Sequence, residues 1–425
     1  MSGKFTDHLG RPIVVVTGMG VVTSLGKGKE ENWDALTSGR SGIHQINRFP
    51  TEGINTTIAG TVDFMETDEV SAPEISYSMA ESTSGEALEQ AGFGTGGIPG
   101  PLFFAAPPVE LEWQHRFQLM SENIKAEPGY EQLLAAARAN KHERMHQIIQ
   151  LGTIAYRIAE KFGTKGLPIS LSTACASGAT ALQQGVEAIR RGDAEATLCA
   201  ASDGSVTAEG LIRFSLLSAL TTQNEAPEKA SKPFSKDRDG FVMSEGSAAL
   251  VLESYEHATA RGAKILGVIQ GVGEKADSFH RTRSSPDGAP VITAIKQGLE
   301  DAGVASSDID YINAHGTSTP ENDRMEYNSL KAVFGEDIHQ IPISSNKSMI
   351  GHTLTAGGAV EAVFSFLTMS EGVIPPTINY DNPDPDIPLD VVPNVKRAAS
   401  VDSVLSNSFG FGGQNACLVL GSRVN

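Results

Sequence analysis

Short runs of apolar and β-branched residues recur along the chain, and glycine or polar residues bound most of them. Runs of this length and composition are typical of strands that are buried on both faces of a sheet. The pattern predicts buried strands at 13–16, 197–201, 248–252, 311–314 and 416–420.

Longer segments with the length and composition of helices lie between these runs, at 176–191, 291–302 and 356–370. Strands that alternate with helices predict an α/β protein whose sheets are mainly parallel and are covered by helices. A further segment, 132–157, is polar and amphipathic, and we expect it to be helical too.

The sequence also contains an internal repeat. Four pairs of short segments match in the same order along the chain: 14–20 with 267–273, 167–170 with 341–344, 186–188 with 360–362, and 250–254 with 418–422. The alternative is that strand–turn–helix units resemble each other by chance, but the preserved order favours duplication. We therefore predict two related halves, 11–262 and 263–425, whose equivalent loops surround a pseudo-twofold axis.

The composition is that of a folded protein with a strong negative charge. The 425 residues include 51 acidic and 33 basic side chains, which gives a formal net charge of −18. This charge disfavours non-specific binding to nucleic acids or anionic membranes. No run reaches the roughly 18 apolar residues of a membrane span, and three cysteines are too few for a disulfide framework. We therefore expect a cytoplasmic protein.

The strongest local signal is the sequence Leu-Ser-Thr-Ala-Cys-Ala-Ser-Gly-Ala at 171–179. An apolar strand ends there and a helix begins, so Cys175 is expected to lie near a helix N-terminus. The unpaired amides of a first helical turn favour an anion and are expected to lower the pKa of a thiol. We interpret Cys175 as a nucleophile. The alternative, a small buried apolar residue, fits Cys199 and Cys417, which lie within apolar strands.

Two histidines of the second half occupy positions where loops begin. His315 follows the predicted strand at 311–314, and His352 ends the sequence Asn-Lys-Ser-Met-Ile-Gly-His. In the repeat, His352 falls on the second copy of the Cys175 turn, and a pseudo-twofold axis would bring the two turns together. Either histidine alone could be a polar surface or capping residue. The glycine-rich segment at 408–415 is either an oxyanion-binding loop or a simple tight turn.

These motifs together resemble the β-ketoacyl-[acyl-carrier-protein] synthases, specifically the elongating enzymes with a Cys-His-His site. The resemblance covers essentially the whole chain and rests on six ordered motifs: the opening at 16–26, the Cys175 loop, Lys-Asp-Arg-Asp-Gly-Phe-Val at 236–242, the His315 loop, the loop at 347–352 and the closing loop at 409–415. It implies a thiolase-like fold, in which two duplicated α/β halves form αβαβα layers. It also implies an acyltransferase that elongates a fatty acyl chain by decarboxylative Claisen condensation with malonyl-ACP.

The resemblance assigns catalytic roles residue by residue. Cys175 would take the acyl group from a carrier-protein thioester, and the amides of Cys175 and Phe411 would form the oxyanion hole. His315 and His352 would hold the malonyl thioester carbonyl and stabilise the enolate that forms on decarboxylation.

The resemblance assigns supporting roles as well. Lys347 and Glu326 would form an ion pair, and Thr317 and Thr319 would bind the pantetheine arm. The residues expected to gate the acyl pocket are Phe214, Phe409 and Phe411. The resemblance implies no metal or other cofactor, because substrates arrive on the phosphopantetheine arm of acyl carrier protein. It also implies a homodimer.

Two regions depart from the family pattern. The sequence Phe-Phe-Ala-Ala-Pro-Pro-Val at 103–109 replaces a glycine-rich acyl-pocket loop, and a longer connection than usual leads from it to Cys175. The segment 65–70 and Ser218 replace basic residues that usually dock the carrier. An acidic carrier would then need another basic patch, for which the candidates are Arg138, Lys141 and Arg144. We hypothesise a synthase for an unusual acyl chain or for a dedicated carrier.

Three other functions remain open at this point. The same chemistry could elongate a polyketide. A non-catalytic partner subunit that sets chain length could share the fold, although such subunits lose the nucleophile. Finally, His142 and His146 match the HExxH pattern, in which two histidines on one helical face bind zinc and Glu143 acts as the base. The flanking residues are polar and no third ligand is marked, which favours a solvated helix face over a zinc hydrolase.

Overall fold

The computed structural model describes residues 5–67, 70–94, 96–122, 125–139 and 141–424. The strands are β1 (Val14–Thr23), β2 (Gly26–Lys27), β3 (His44–Gln45), β4 (Ile58–Ala59), β5 (Leu102–Ala105), β6 (Ile169–Leu171), β7 (Ala196–Asp203), β8 (Gly246–Ser254), β9 (Gly267–Ala276), β10 (Tyr311–Asn313), β11 (Ile343–Ser344), β12 (Val373–Ile374), β13 (Arg397–Ala398), β14 (Ser403–Phe409) and β15 (Gln414–Gly421).

The α-helices are α1 (Gly28–Thr37), α2 (Ala72–Gln90), α3 (Trp113–Glu122), α4 (Tyr130–Ala139), α5 (Glu143–Ile148), α6 (Thr153–Phe162), α7 (Ser177–Arg190), α8 (Ala208–Leu216), α9 (Tyr255–Ala260), α10 (Ala289–Ala302), α11 (Pro320–Phe334), α12 (Lys347–Ile350) and α13 (Gly357–Glu371). Short 3₁₀ turns occur at Pro227–Lys229, Ser306–Asp308, Gly335–His339 and Leu354–Ala356.

Within the described residues, eleven strands form one large sheet in the order β11-β10-β14-β15-β9-β1-β8-β7-β5-β6, with β2 paired to β1. Outward from its centre, β1-β8-β7-β5-β6 matches β9-β15-β14-β10-β11, which is the order expected from a duplication. The first residues of β6 and β11, Ile169 and Ile343, keep the 174-residue offset of the sequence repeat. The residues at which the halves begin and end, 11–262 and 263–425, stay a prediction.

The prediction of mainly parallel sheets is wrong. In each half only the outer pairings are parallel, β7–β5 and β5–β6 in the first half and β14–β10 and β10–β11 in the second. The inner pairings are antiparallel. For β14 and β15 the reason is a four-residue connection at 410–413, which is long enough for a hairpin but too short for a parallel crossover.

The helices form layers around this sheet. Helix α2 packs against β1, β8 and β7, helix α10 packs against β9 and β15, and α7 and α13 lie between the halves against each other. A Cβ at Gly178 would lie 2.6 Å from the Ala359 nitrogen, and a Cβ at Gly358 would lie 2.6 Å from the Ala179 nitrogen. These reciprocal close contacts require glycine and bring the N-termini of α7 and α13 together. The two halves of the sheet are the two β layers, with α7 and α13 between them, which is the predicted αβαβα arrangement.

The predicted strands correspond to β1, β7, β8, β10 and β15, and three of the predicted helices correspond to α7, α10 and α13. The continuous helix predicted at 132–157 is wrong, because α4, α5 and α6 divide this region. Gly152 directly precedes α6, and glycine weakens a helix interior by losing more conformational entropy than other residues. No helix in the described ranges is long and apolar enough to cross a membrane.

Candidate active site

Cys175 lies in the tight turn between β6 and α7. The preceding Ala174 has a positive φ of 50°, which is uncommon for a residue with a Cβ. The hydroxyl of Ser177 fixes this turn, because it accepts the backbone N–H of Thr173 at 2.7 Å and donates to the Ala174 carbonyl at 2.6 Å. The strained backbone therefore presents the sulfur at the start of α7.

The glycine-rich loop between β14 and β15 packs directly against this turn. A Cβ at Gly410 would lie 2.9 Å from the Thr173 carbonyl oxygen and 3.1 Å from the Cys175 nitrogen, so no side chain fits there. The backbone N–H groups of Phe411 and Cys175 both interact with the Cys175 sulfur. Two amides that converge on one sulfur can hold the oxygen of an acyl group bonded to it.

The expectation that the helix N-terminus lowers the pKa of Cys175 is wrong in its net sign. Burial raises the pKa of this thiol to about 11, and the nearby Asp203 carboxylate contributes in the same direction. The Phe411 amide, the Lys347 ammonium and the Cys175 amide oppose the shift without reversing it. Cys175 is therefore a protonated thiol at neutral pH.

This pKa predicts how Cys175 is alkylated. Because the thiolate is the nucleophile, the rate of reaction with iodoacetamide should still rise between pH 9 and pH 10. Cys199 and Cys417 are buried within strands, and burial raises the pKa of both thiols, so neither should react. Peptide mass mapping against a Cys175→Ala control measures each site. A rate plateau below pH 8 would contradict the raised pKa.

His315 and His352 lie side by side, with ring centroids 5.3 Å apart and ring planes at 83°. His315 comes two residues after β10, and His352 follows α12. Burial lowers the pKa of both rings well below the usual value, and the charge of Lys347 adds to this effect. Both rings are therefore neutral at pH 7.

The hydrogen bonds of His352 select its tautomer. The backbone N–H of Leu354 donates to Nδ1 at 3.3 Å, so the ring proton of the neutral imidazole is on Nε2. Nε2 is buried and has no hydrogen-bond partner in the part of the chain that the structure describes. His352 therefore offers a free, uncharged N–H donor in the cavity beside Cys175.

The predicted ion pair between Lys347 and Glu326 is wrong. The Lys347 ammonium instead pairs with Glu361 of α13, and both side chains are fully buried. Glu326 accepts the backbone N–H groups of His315 and Gly316, each at 2.8 Å, and the side-chain amide of Asn407 at 3.1 Å. These backbone bonds turn the Glu326 carboxylate toward the His315 loop, so its role is to position that loop.

The predicted pantetheine-binding residues lie in one cavity with the catalytic residues. The hydroxyls of Thr317 and Thr319 are 2.9 Å apart, and Thr319 also caps α11 by accepting the Asn322 N–H at 3.3 Å. This cavity is also lined by Cys175, His315, His352 and residues 280–284. It reaches from the protein surface to the sulfur.

A second cavity meets the first at the sulfur. Cys175, Phe214 and Phe411 line both cavities. The ring centroids of Phe214 and Phe241 are 5.5 Å apart, and those of Phe241 and His352 are 5.3 Å apart. Phe409 packs on His315, with the two ring centroids 5.6 Å apart. The aromatic residues predicted to gate the acyl pocket thus surround the junction of the two cavities.

The segment 103–109 contributes only its end to the second cavity. Its first three residues belong to the buried strand β5, and the contact with the cavity comes from Pro108 and Val109. Glu110 and Arg213 form an ion pair in the cavity wall, where Glu112 is a further carboxyl group. The second cavity is therefore lined mainly by apolar surface but carries polar and charged groups in its wall, among them the Asp203 carboxyl group beside Cys175.

Sequence reasoning missed two buried carboxylates of the site. Glu361 lies in the apolar first part of α13, where residues 357–364 include no other polar side chain, and a carboxylate in such a segment is a signal that it has a buried partner. Asp203 ends β7 and accepts the backbone N–H and the hydroxyl of Thr355, at 3.1 and 2.8 Å. Its position next to Cys175 depends on pairing between distant segments, which no local pattern reveals.

The HExxH pattern does not form a helix with two histidines on one face. His142 precedes α5, and its Nε2 lies 3.0 Å from a Glu122 carboxylate oxygen, while His146 contacts Gln150 at 2.7 Å. Within the described ranges no three histidine, cysteine or carboxylate side chains are grouped as a metal would need. The predicted absence of a metal cofactor stays a prediction.

The three basic residues predicted to dock the carrier, Arg138, Lys141 and Arg144, do not line the first cavity. Lys141 lines a cavity next to α4 and α5 that shares Val109 and Glu110 with the second cavity, and Arg144 lies 4.0 Å from a Glu74 carboxylate oxygen. In segment 65–70, positions 68 and 69 lie outside the described residues.

Two family models match the chain. Residues 11–258 match the β-ketoacyl synthase N-terminal domain, and residues 266–381 match the β-ketoacyl synthase C-terminal domain. The chain belongs to the β-ketoacyl synthase family.

Similar proteins match over nearly their full length. A "3-oxoacyl-[acyl-carrier-protein] synthase 2" of Coxiella burnetii is 37% identical, over 97% of this chain and 98% of that protein. A "putative polyketide beta-ketoacyl synthase 1" of Streptomyces cyaneus is 36% identical, over 96% and 98%.

Solved structures show the same likeness. A ketosynthase from a type II PKS, in complex with its acyl-carrier protein and bound to the hexaketide, has a TM-score of 0.87 and 32% identity, over 97% of this chain and 100% of that one. A β-ketoacyl synthase from Burkholderia phymatum has a TM-score of 0.85 at 32% identity, with the same coverage.

Proposed function

We propose that the protein is a 3-oxoacyl-[acyl-carrier-protein] synthase. It transfers an acyl group to Cys175 and extends that group by two carbons from malonyl-ACP, with loss of CO₂, in fatty acid biosynthesis. One observation carries the proposal: a thiol, two converging amides and two neutral imidazoles meet where a surface cavity joins a second, partly apolar cavity. The names of the similar synthases support it.

Acyl transfer is the first step. The thiol of Cys175 attacks the thioester carbonyl of acyl-ACP, a bond forms to its sulfur, and the bond to the pantetheine sulfur breaks. The thiol proton ends on the released pantetheine thiol, because a group with a pKa of about 11 loses its proton only during the attack. The amides of Cys175 and Phe411 stabilise the negative charge on the tetrahedral intermediate.

Decarboxylation and condensation follow. The Nε2–H of His352 donates to the malonyl thioester carbonyl, with His315 beside it, and stabilises the enolate that remains when CO₂ leaves. The enolate carbon attacks the acyl carbonyl on Cys175, a carbon–carbon bond forms, and the bond to the Cys175 sulfur breaks. The thiolate takes a proton from solvent, and 3-oxoacyl-ACP leaves through the first cavity.

Acyl carrier protein is the proposed partner, and its phosphopantetheine arm supplies both substrates, so the reaction itself requires no cofactor. A similar ketosynthase has been solved in complex with its own carrier protein. We also propose a homodimer, because β6 is an edge strand that exposes Ile169 (47%), Leu167 just before it is exposed too (88%), and exposed apolar edges favour pairing with another chain. A cytoplasmic location would keep the thiol of Cys175 reduced.

Polyketide elongation is a second candidate. The observation that favours it is the polar wall of the acyl cavity, where the Glu110–Arg213 ion pair and the Glu112 carboxyl group could contact oxygen-bearing chains. A ladder of alkyl and 3-oxo acyl groups therefore separates the two functions by their relative rates.

The test is a condensation assay with the purified chain, malonyl-ACP and acyl-ACP. We expect one CO₂ for each 3-oxoacyl-ACP formed, and no product with the Cys175→Ala variant. The absence of product with every acyl group, under conditions in which a similar synthase is active, would overturn the proposal. A hydrolytic activity that a zinc chelator abolishes would overturn it in favour of a metal enzyme.

A further inference from the structure

The segment between β9 and α10 forms one wall of the mouth of the first cavity. The Asp277 carboxylate holds it, because it accepts the backbone N–H groups of Phe279 and Ser285 at 2.8 and 2.7 Å and the Ser285 hydroxyl at 2.8 Å. The Gly412 N–H donates to the Arg281 carbonyl at 2.8 Å, which joins the segment to the loop beside Cys175. The backbone of this wall is therefore fixed relative to the sulfur.

Two exposed arginines of this wall, Arg281 and Arg283, line the cavity. Among the described residues neither guanidinium has a carboxylate within salt-bridge distance. Two carboxylates, Asp277 and Glu321, face these arginines. Asp277 already accepts hydrogen bonds from backbone amides and a hydroxyl. Burial raises the pKa of Glu321, and the charge of Arg283 lowers that pKa only as a minor effect. Two unpaired cations thus stand at the mouth of a cavity in a protein of net charge −18.

The proposed substrate brings a matching anion to this place. In a phosphopantetheine thioester, the sulfur is at one end of the arm and the phosphodiester is at the other, next to the carrier. When the thioester carbonyl lies at Cys175 and the arm follows the first cavity, its phosphodiester lies toward the mouth. Arginine suits phosphate because its planar guanidinium donates two parallel hydrogen bonds.

We infer that Arg281 and Arg283 bind the phosphodiester of the phosphopantetheine arm. This inference rests on the proposed function and adds a binding site to it. The two arginines act in binding the arm, and neither touches the reacting atoms.

The test compares malonyl thioesters of pantetheine, of 4′-phosphopantetheine and of the intact carrier. In the Arg281→Ala/Arg283→Ala variant, we expect KM for the two phosphate-bearing thioesters to rise about tenfold, which is the loss of one charge-assisted interaction. We expect kcat to stay the same, and KM for the pantetheine thioester to stay within about twofold. Arg324→Ala is the matched control. This arginine is also exposed and its charge also lowers the pKa of Glu321, but it does not line the cavity.

A binding measurement separates this inference from the proposed function. Titration calorimetry should show that the unmodified chain binds 4′-phosphopantetheine more tightly than pantetheine, and that the double variant loses the difference. If the double variant lost affinity for pantetheine and for 4′-phosphopantetheine equally, the inference would be overturned, because the arginines would then act on the fold of the loop. If KM rose only for the thioester of the intact carrier, the inference would also be overturned, because the contact would be with the carrier protein. Phosphate-dependent binding without condensation by the unmodified chain would support the site and reject the proposed function.

Discussion

Replacing His352 with alanine is expected to slow decarboxylation of malonyl-ACP by about 100- to 1,000-fold, the usual cost of removing one donor to a developing oxyanion. The reason is the Nε2–H, which has no hydrogen-bond partner among the residues described and which the Leu354 amide fixes by donating to Nδ1. Transfer of the acyl group to Cys175 should continue, because the amides of Cys175 and Phe411 serve that step. Release of labelled CO₂ and the mass of the acylated protein measure the two steps separately.

Two further variants control this prediction. His352→Gln retains a side-chain N–H donor and should recover part of the lost rate. His339→Ala removes a histidine that does not line either cavity at Cys175 and should leave both steps within about twofold of the original rates. Equal losses of acylation and decarboxylation in His352→Ala would contradict the assigned role, since they would indicate a damaged site.

Lys347→Met is expected to lower the free energy of unfolding by about 3–5 kcal/mol, because it leaves the Glu361 carboxylate buried without its partner. It should also raise the pKa of His315 and His352, because the Lys347 charge lowers both. The acid limb of the condensation rate should then move to higher pH. Thermal unfolding and a pH–rate profile measure the two effects.

The double variant Lys347→Met/Glu361→Gln separates stability from electrostatics. Without the unpaired carboxylate it should recover much of the lost stability, yet the pH profile should remain shifted, because the positive charge is still absent. Lys232→Met removes a partly exposed ion pair with Asp237 and should cost less than about 1 kcal/mol. A pH profile that returns to the original in the double variant would show that Lys347 acts only on stability.

Cys175 could be named from the sequence because it stands where a strand ends and a helix begins. His315 and His352 could be named only because six ordered motifs together resemble the β-ketoacyl synthases, since either histidine alone could be a surface or capping residue. The partner of Lys347 could not be identified in the same way. Both Glu326 and Glu361 are buried carboxylates on helices, and only the folded chain shows that the first turns to the His315 loop and the second to the ammonium. The rise in the pKa of Cys175 was missed because burial of the thiol outweighs the amides of the turn.

The long central strands β1, β7, β8 and β15, the short strand β10 and the helices α7, α10 and α13 follow from local patterns, whereas the direction of strand pairing does not. The alternation of strands and helices predicts a parallel sheet, yet β8 and β15 run against their neighbours. For β15 the four-residue glycine-rich connection to β14 contained this information, since hairpins are antiparallel. The long segment between β7 and β8 offers no such signal, so the pairing of these strands depends on tertiary packing.

The most direct test of the account is the intact mass of the protein after incubation with acyl-ACP alone. The account predicts one acyl group per chain, located on Cys175 by peptide mapping, absent from Cys175→Ala and released when malonyl-ACP is added. The adduct should still form in His352→Ala but should persist after malonyl-ACP is added. An acyl group on another residue, or condensation by the Cys175→Ala variant, would contradict it.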